Sequence, residues 1–350
     1  MRIGLYGMPT AGKSFILDKI DFIKVMSGSK MLHELCPDFD LRGEEGKQAI
    51  RQELADFLMS VDTFIMDGHH SFGDTIVFTE NDGYLYDVFL YLYISPEILK
   101  ERMKCSERNR KYLSLDIADW QEREIEGLRA YCHEKGKDFY VIDNPPENQF
   151  TDITIVLEFI KAVVDGYSCV SLSDKCVKDI LKRSKTDTVT LMDGDKTITI
   201  EDTSNRVFGY TTNLYDGNYY TGYQSWKQGK EFEQYSFDDL TQIPVTLNER
   251  VCKVINGDTY ILTSGHERIW SYIAKKLGVP YYYGIEMSAE TKLYITKGLQ
   301  EAGKKVIAYG DGMNDFYMLI QADEGYLVSK RDSTVSRSLK GRNLEGLTIV

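Results

Sequence analysis

The chain opens on a strand-length apolar run, Arg2 to Tyr6, which leads at once into Gly7-Met8-Pro9-Thr10-Ala11-Gly12-Lys13-Ser14 and then into a helical segment, Ser14 to Lys19. Few arrangements narrow a fold more. Gly7 and Gly12 allow the backbone conformations and the close approach with which consecutive N–H groups wrap a phosphate. Lys13 then reaches the outer phosphates, Ser14 coordinates Mg²⁺, and the helix adds its positive end. The spacing therefore predicts ATP or GTP held at Gly7, Gly12, Lys13 and Ser14, with Lys13 also serving phosphoryl transfer.

The same strand-then-helix rhythm continues. Phe22 to Met26, Thr63 to Met66, Val88 to Ile94 and Phe139 to Ile142 read as short apolar strands, with helical patterns at Gly46 to Ser60, Pro96 to Arg108 and Asp152 to Val164 between and after them. Strands separated by helices imply a parallel sheet covered on both faces. Asp165-Gly166 interrupts the pattern, and the lysine-rich stretch that follows reads as a helical connector over 167–186. Alternation restarts at Val189 to Met192 and continues at Tyr260 to Thr263, Tyr281 to Tyr283, Val306 to Tyr309 and Gly325 to Val328. The expected fold class is α/β in two domains, 1–166 and 187–350, each a mostly parallel sheet flanked by helices. An insertion at about 199–250 carries Tyr210, Tyr215, Tyr219, Tyr220, Tyr223 and Tyr235. It is expected either to cap a site or to form a small aromatic core of its own.

Composition excludes several classes. With 350 residues the chain is long enough for two ordinary domains, and a hydrophobic share of 42% suits a globular protein. No run reaches membrane-spanning length, and Lys13 interrupts any apolar leader segment, so the expectation is a cytoplasmic chain with no membrane partner. The six cysteines form no C-x-x-C pair, which suggests neither a zinc site nor a disulfide framework. A net charge of −12 argues against a broad nucleic-acid surface, although Lys100 to Lys111 and Lys175 to Lys185 are locally basic.

Asp67, in Met66-Asp67-Gly68-His69-His70, ends the third strand, where it would act on the Mg²⁺ shell or on an acceptor; otherwise it forms a turn. His69 and His70 read by default as exposed loop residues. With Pro96 to Arg102 and then Arg108-Asn109-Arg110 after the fourth strand, this half resembles the nucleoside-monophosphate kinases, archaeal-type adenylate kinases above all. The resemblance implies a P-loop NTPase fold, with Arg102, Arg108 and Arg110 in a lid over the nucleotide phosphates. No acceptor signature is visible at Ser27-Gly28-Ser29 or Asp40-Leu41-Arg42.

The second half carries Asp193-Gly194-Asp195-Lys196-Thr197 after a strand, Ser264 before Gly265-His266, Lys292, and Gly310-Asp311-Gly312-Met313-Asn314-Asp315. In this order the segments resemble the haloacid-dehalogenase-like phosphohydrolases, the phosphoserine-phosphatase branch in particular. The resemblance implies a Rossmann-like fold with a small cap and an aspartyl-phosphate route. Asp193 is then the nucleophile and Asp195 the acid–base. Ser264, with Thr263 as rival, holds a phosphate oxygen. Lys292, with Lys297 as rival, neutralises charge, and Asp193, Asp195, Asp311 and Asp315 serve Mg²⁺. Asp202 stands where that branch keeps a carboxylate for an amino-bearing substrate, but the tyrosine-rich insertion departs from the branch.

Three functions fit the pairing. The first is a bifunctional kinase and phosphatase acting on nucleotides and small phosphorylated metabolites. The second is a polynucleotide kinase–phosphatase, whose nucleic-acid partner ranks behind the metabolite. The third is a phosphatase governed by a nucleotide-sensing domain. Oligomeric state is not legible.

Overall fold

A computed structural model of the protein describes residues 1–143, 153–235, 245–330 and 332–350. Residue 152 of the expected closing helix and residues 236–244 of the insertion lie outside them. The chain divides into two compact units, Met1–Tyr167 and Ser168–Val350.

In the first unit the elements run β1 (Arg2–Tyr6), α1 (Lys13–Leu17), β2 (Val25–Ser27), α2 (Gly28–Leu35), α3 (Glu44–Met59), β3 (Phe64–Asp67), β4 (Ser71–Phe72), β5 (Thr75–Ile76), α4 (Glu80–Leu85), β6 (Val88–Tyr93), α5 (Pro96–Lys104), α6 (Ile117–Lys135), β7 (Asp138–Asp143) and α7 (Thr154–Val164). The main sheet has the order β2-β3-β1-β6-β7 and every pairing in it is parallel, while β4 and β5 form a small antiparallel hairpin. Its strands are near-continuous apolar runs because helices cover both faces; Ile3, Leu5, Phe64, Ile65, Phe89 and Leu90 have no exposed surface. β2 is shorter than the run Phe22 to Met26 suggests. It is an edge strand, and only Val25 to Ser27 pair with β3.

The second unit runs α8 (Cys169–Arg183), β8 (Thr188–Asp193), α9 (Thr203–Phe208), α10 (Gly222–Phe232), α11 (Glu249–Cys252), β9 (Thr259–Thr263), α12 (Glu267–Leu277), β10 (Tyr281–Tyr283), α13 (Ala289–Glu301), β11 (Lys305–Gly310), α14 (Met313–Gln321), β12 (Glu324–Leu327) and β13 (Thr348–Ile349). Its sheet has the order β10-β9-β8-β11-β12-β13, parallel throughout. Alternation along the strands builds two cores. Leu191 and Leu262 join α8, α13 and α14 on one face, whereas Met192 and Ile261 join α12 on the other.

The stretch read as a connector belongs to this second unit. Ser168 caps α8 by accepting from the Ser171 N–H at 3.0 Å, and Cys176 and Ile180 are buried against α13 in the core. Each buried aliphatic side chain contributes roughly 1.5–3 kcal/mol, so the helix is held far more firmly than a linker. Its lysines occupy the outer face and mask the narrow stripe Cys169, Ser173, Cys176 and Ile180.

Candidate active sites

Parallel topology places every strand's carboxyl end on one edge of its sheet, and both candidate sites lie on such an edge. In the first unit β1 delivers the phosphate loop there and the adjacent β3 delivers Asp67. Gly12 has φ 101°, a left-handed conformation that a side chain would strain. Lys13 is buried, and its Nζ donates to the Gly7 carbonyl at 2.5 Å and the Met8 carbonyl at 3.3 Å. Burial lowers its pKa to about 8, against the pull of Glu124 and Asp67. Ser14 is exposed in the first turn of α1.

The three lid arginines part company. Arg102 donates to the Thr10 and Ala11 carbonyls at 3.2 and 3.1 Å, clamping the loop from α5. Arg110 turns back on the Lys104 carbonyl at 3.3 and 3.0 Å, where it satisfies the end of α5. Arg108 is exposed, and its charge helps to lower the pKa of His69. The two histidines are not the exposed loop residues expected. His69 packs on Phe72 with ring centroids 4.7 Å apart, and His70 stacks on Phe78 at 5.5 Å. Burial lowers the pKa of both, that of His70 to about 4, so both are neutral at pH 7.

Glu124 of α6 escaped the sequence reading. It is fully buried and accepts from the Ser71 N–H at 2.9 Å, the Ser71 hydroxyl at 2.7 Å and the Tyr91 hydroxyl at 2.8 Å. Trp120 Nε1 donates to the same Ser71 oxygen at 2.7 Å, so the chain just after Asp67 and His69 is pinned. The available signal was a carboxylate falling on the buried stripe Trp120, Glu124, Leu128 of an amphipathic helix.

In the second unit the neighbouring strands β9, β8 and β11 end side by side. β8 ends in Asp193, β9 leads into Ser264, and β11 leads into Asp311. Lys292 lies in the first turn of α13 with no exposed surface. Its Nζ sits 2.6 Å from Asp193 Oδ1 and 2.7 Å from Asp315 Oδ1. Lys297, its rival, is only half-buried on the same helix. Asp315 Oδ2 accepts from the Asp311 and Gly312 N–H groups at 3.1 and 3.3 Å, which fixes the turn after β11.

Oxygen atoms of Asp193, Asp311 and Asp315 lie within 4.8 Å of one another. Burial and then Asp315 push Asp193 up to about 7 despite Lys292, and burial raises Asp311 well above the usual carboxylate range. Three carboxylates facing one ammonium leave excess negative charge in a buried space. The donor set, all oxygen, fits a hard divalent cation such as Mg²⁺.

Asp195 stands apart from that cluster. Its Oδ1 accepts from the Thr203 N–H at 2.6 Å and its Oδ2 from Trp270 Nε1 at 3.1 Å. The side chain is therefore held outside the carboxylate group of Asp193, Asp311 and Asp315. Burial, with the Asp202 charge added, pushes it up to about 6. Gly265 makes this possible, since a Cβ there would stand 2.3 Å from Trp270 Nε1. Thr263 and Ser264 both line the cleft; the buried Thr263 hydroxyl accepts from the Gly265 N–H at 3.0 Å, and the Ser264 hydroxyl accepts from Asn314 Nδ2 at 3.5 Å. Tyr210, Tyr215 and Tyr220 line a cleft of about 1350 Å³ that includes Asp193 and Asp195, and Tyr210 also packs on Phe232 at 4.9 Å.

No known family profile matches the chain. A copper-exporting P-type ATPase of Staphylococcus epidermidis is 35% identical over 74 residues, which is 21% of this chain and 9% of that protein's length. Among solved structures, shikimate kinase from Acinetobacter baumannii in complex with shikimate is similar at 14% identity and a TM-score of 0.35, over 47% of this chain and 93% of that one. A substrate-bound phosphoserine phosphatase is similar at 17% identity and a TM-score of 0.33, over 43% of this chain and 90% of that one. Kinase and phosphatase structures are thus both among the neighbours. No helix among the described residues is long and apolar enough to cross a membrane.

Proposed function

We propose that the second unit hydrolyses phosphomonoesters through an aspartyl-phosphate on Asp193, and that the first unit binds ATP or GTP and passes its terminal phosphoryl group to a small acceptor. The observation that carries the first half is Lys292 bridging Asp193 and Asp315 at 2.6 and 2.7 Å, with Asp195 held apart by Trp270 and Thr203.

The arrangement divides the labour. The ammonium of Lys292 opposes the upward push on Asp193, favouring its ionised, attacking form, and would neutralise charge on the phosphoryl oxygens as they approach. Asp193, Asp311 and Asp315 would hold Mg²⁺, which supplies charge neutralisation at the phosphoryl group when bound. Asp195 is pushed up to about 6, so it can carry the proton that the departing alcohol oxygen takes. Ionised after that transfer, it removes a proton from water, which attacks phosphorus and releases Asp193 and phosphate. Ser264 and the Asn314 amide would orient a phosphoryl oxygen.

In the first unit Gly7, Gly12 and Lys13 would enclose the nucleotide phosphates and Ser14 would hold Mg²⁺. Asp67, at the end of β3 beside β1, would orient the acceptor. One observation favours a second reading, a nucleotide sensor: Arg102 and Arg110 are committed to backbone carbonyls rather than directed at a ligand. Phosphoryl transfer from labelled ATP to a panel of metabolites decides between the two. Transfer that is lost in Lys13→Ala supports the kinase. Nucleotide binding that alters the phosphatase rate without any transfer supports the sensor. The phosphatase half predicts release of phosphate from p-nitrophenyl phosphate that a chelator abolishes and Mg²⁺ restores; chelator-insensitive turnover would contradict it.

A further inference from the structure

The cleft is much larger than a phosphate requires, at about 1350 Å³, so it has room for the body of a substrate. Its chemistry is readable beside Asp195, where the leaving oxygen would sit.

Asp202, the position at which an amine-selecting carboxylate was expected, is already occupied. One oxygen accepts from the Asn205 N–H at 3.1 Å to cap α9, and the other pairs with Lys196 Nζ at 3.0 Å. Lys196 reaches it from a left-handed backbone conformation, φ 61°. An incoming ammonium would meet a neutralised pair rather than a free carboxylate, and would lose its hydration without a partner.

Next along the chain, Thr203 gives its N–H to Asp195 and Ser204 lines the cleft. Ser204 is 3% exposed, and its Oγ is a buried hydroxyl with no hydrogen-bond partner. Such a group is costly unless something satisfies it, and a hydroxyl can rotate to donate or to accept. On the cap side the tyrosine hydroxyls are engaged: Tyr210 with Glu231 at 2.6 Å, Tyr215 with Gln228 at 2.9 Å, and Tyr220 with the Tyr215 carbonyl. Tyr210 is buried, but the half-buried Tyr215 and Tyr220 line the cleft with ring rather than free hydroxyl, which suits the carbon face of a sugar or the plane of a base.

We propose that this cleft takes phosphomonoesters whose leaving group is uncharged and hydroxyl-bearing, sugar-like or nucleoside-like, with Ser204 bonding a substrate hydroxyl next to the scissile oxygen, and that it discriminates against amino-bearing esters. The proposal rests on the phosphatase reading above.

The test compares kcat/KM for a sugar phosphate, a nucleoside monophosphate, the deoxy analogue of each, and phosphoserine, with p-nitrophenyl phosphate reporting the chemistry. Wild-type protein should favour one or both hydroxylated esters over phosphoserine by about tenfold or more, and which one responds identifies the body. In Ser204→Ala the preference for the hydroxylated ester over its deoxy analogue should shrink by about tenfold, the value of one buried hydrogen bond. In Lys196→Met the rate on phosphoserine should rise relative to the sugar phosphate, because Asp202 is released. A wild-type preference for phosphoserine, or a hydroxyl preference unchanged in Ser204→Ala, would overturn the proposal. Failure to hydrolyse p-nitrophenyl phosphate would instead overturn the phosphatase reading beneath it.

Discussion

The two candidate sites handle the same chemical problem, a cluster of phosphate charge, with opposite construction. The phosphate loop is eight consecutive residues, and its cations rest on its own backbone: Lys13 on the Gly7 carbonyl at 2.5 Å, Arg102 on the Thr10 and Ala11 carbonyls. The aspartate site draws side chains from segments as far apart as Asp193 and Asp315, and they already face one another across Lys292. Asp195 is likewise fixed in advance by Trp270 and Thr203. A loop of backbone donors fits any phosphate, whereas side chains already facing one another imply a particular reaction.

The contrast breaks first, and hardest, at Asp193. Asp193→Asn should lower hydrolysis of p-nitrophenyl phosphate by ~10³-fold or more while leaving ATP affinity unchanged in a binding titration. A variant that retained its rate would remove the nucleophile from the account. Lys13→Ala should act the other way round. It weakens ATP binding roughly tenfold to a hundredfold, the range of a charged hydrogen bond, and leaves phosphatase turnover alone in the absence of nucleotide.

Glu124→Gln tests whether the buried network under the loop is structural. An amide cannot accept all three hydrogen bonds, so the first unit should lose about 1–3 kcal/mol of stability in denaturant titration. Stability unchanged would mean that the network is dispensable. The pH dependence of nucleotide binding sharpens the comparison further. Burial lowers Lys13 to about 8, so its ammonium is complete below that pH and is lost as pH rises through it. ATP affinity should be flat at lower pH and then fall by up to about tenfold per unit, a trend absent in Lys13→Ala. The smallest effect belongs to Arg110→Ala. Because Arg110 serves the end of α5, the change should cost under ~1 kcal/mol and leave ATP affinity as it was. A marked loss of affinity would return it to the lid.

Much of the fold was legible because parallel strands buried on both faces leave apolar runs that polar helices separate. The loop Gly7 to Ser14 and the aspartate segments were legible for a related reason, since each function sits on a contiguous stretch at a strand end. What escaped was convergence. Trp270 reads as an ordinary core residue on the apolar face of α12, and only the fold brings its Nε1 to Asp195. Lys292 and Lys297 share one helix, and only burial separates them. The partners of Arg102 and Arg110 were not legible either, because a long guanidinium side chain finds nearby carbonyls, as Arg110 does at the end of its own helix. Asp202 is similar: spacing places the carboxylate, but only the fold shows Lys196 paired with it.

The account's central claim is that phosphoryl transfer in the second unit runs through Asp193 and does not depend on the phosphate loop. Acid quench during turnover of a phosphomonoester, borohydride reduction and peptide mapping test it directly. The account predicts homoserine at position 193 in both wild-type protein and Lys13→Ala. Turnover with no reduced residue at 193, or trapping that disappears in Lys13→Ala, would contradict it.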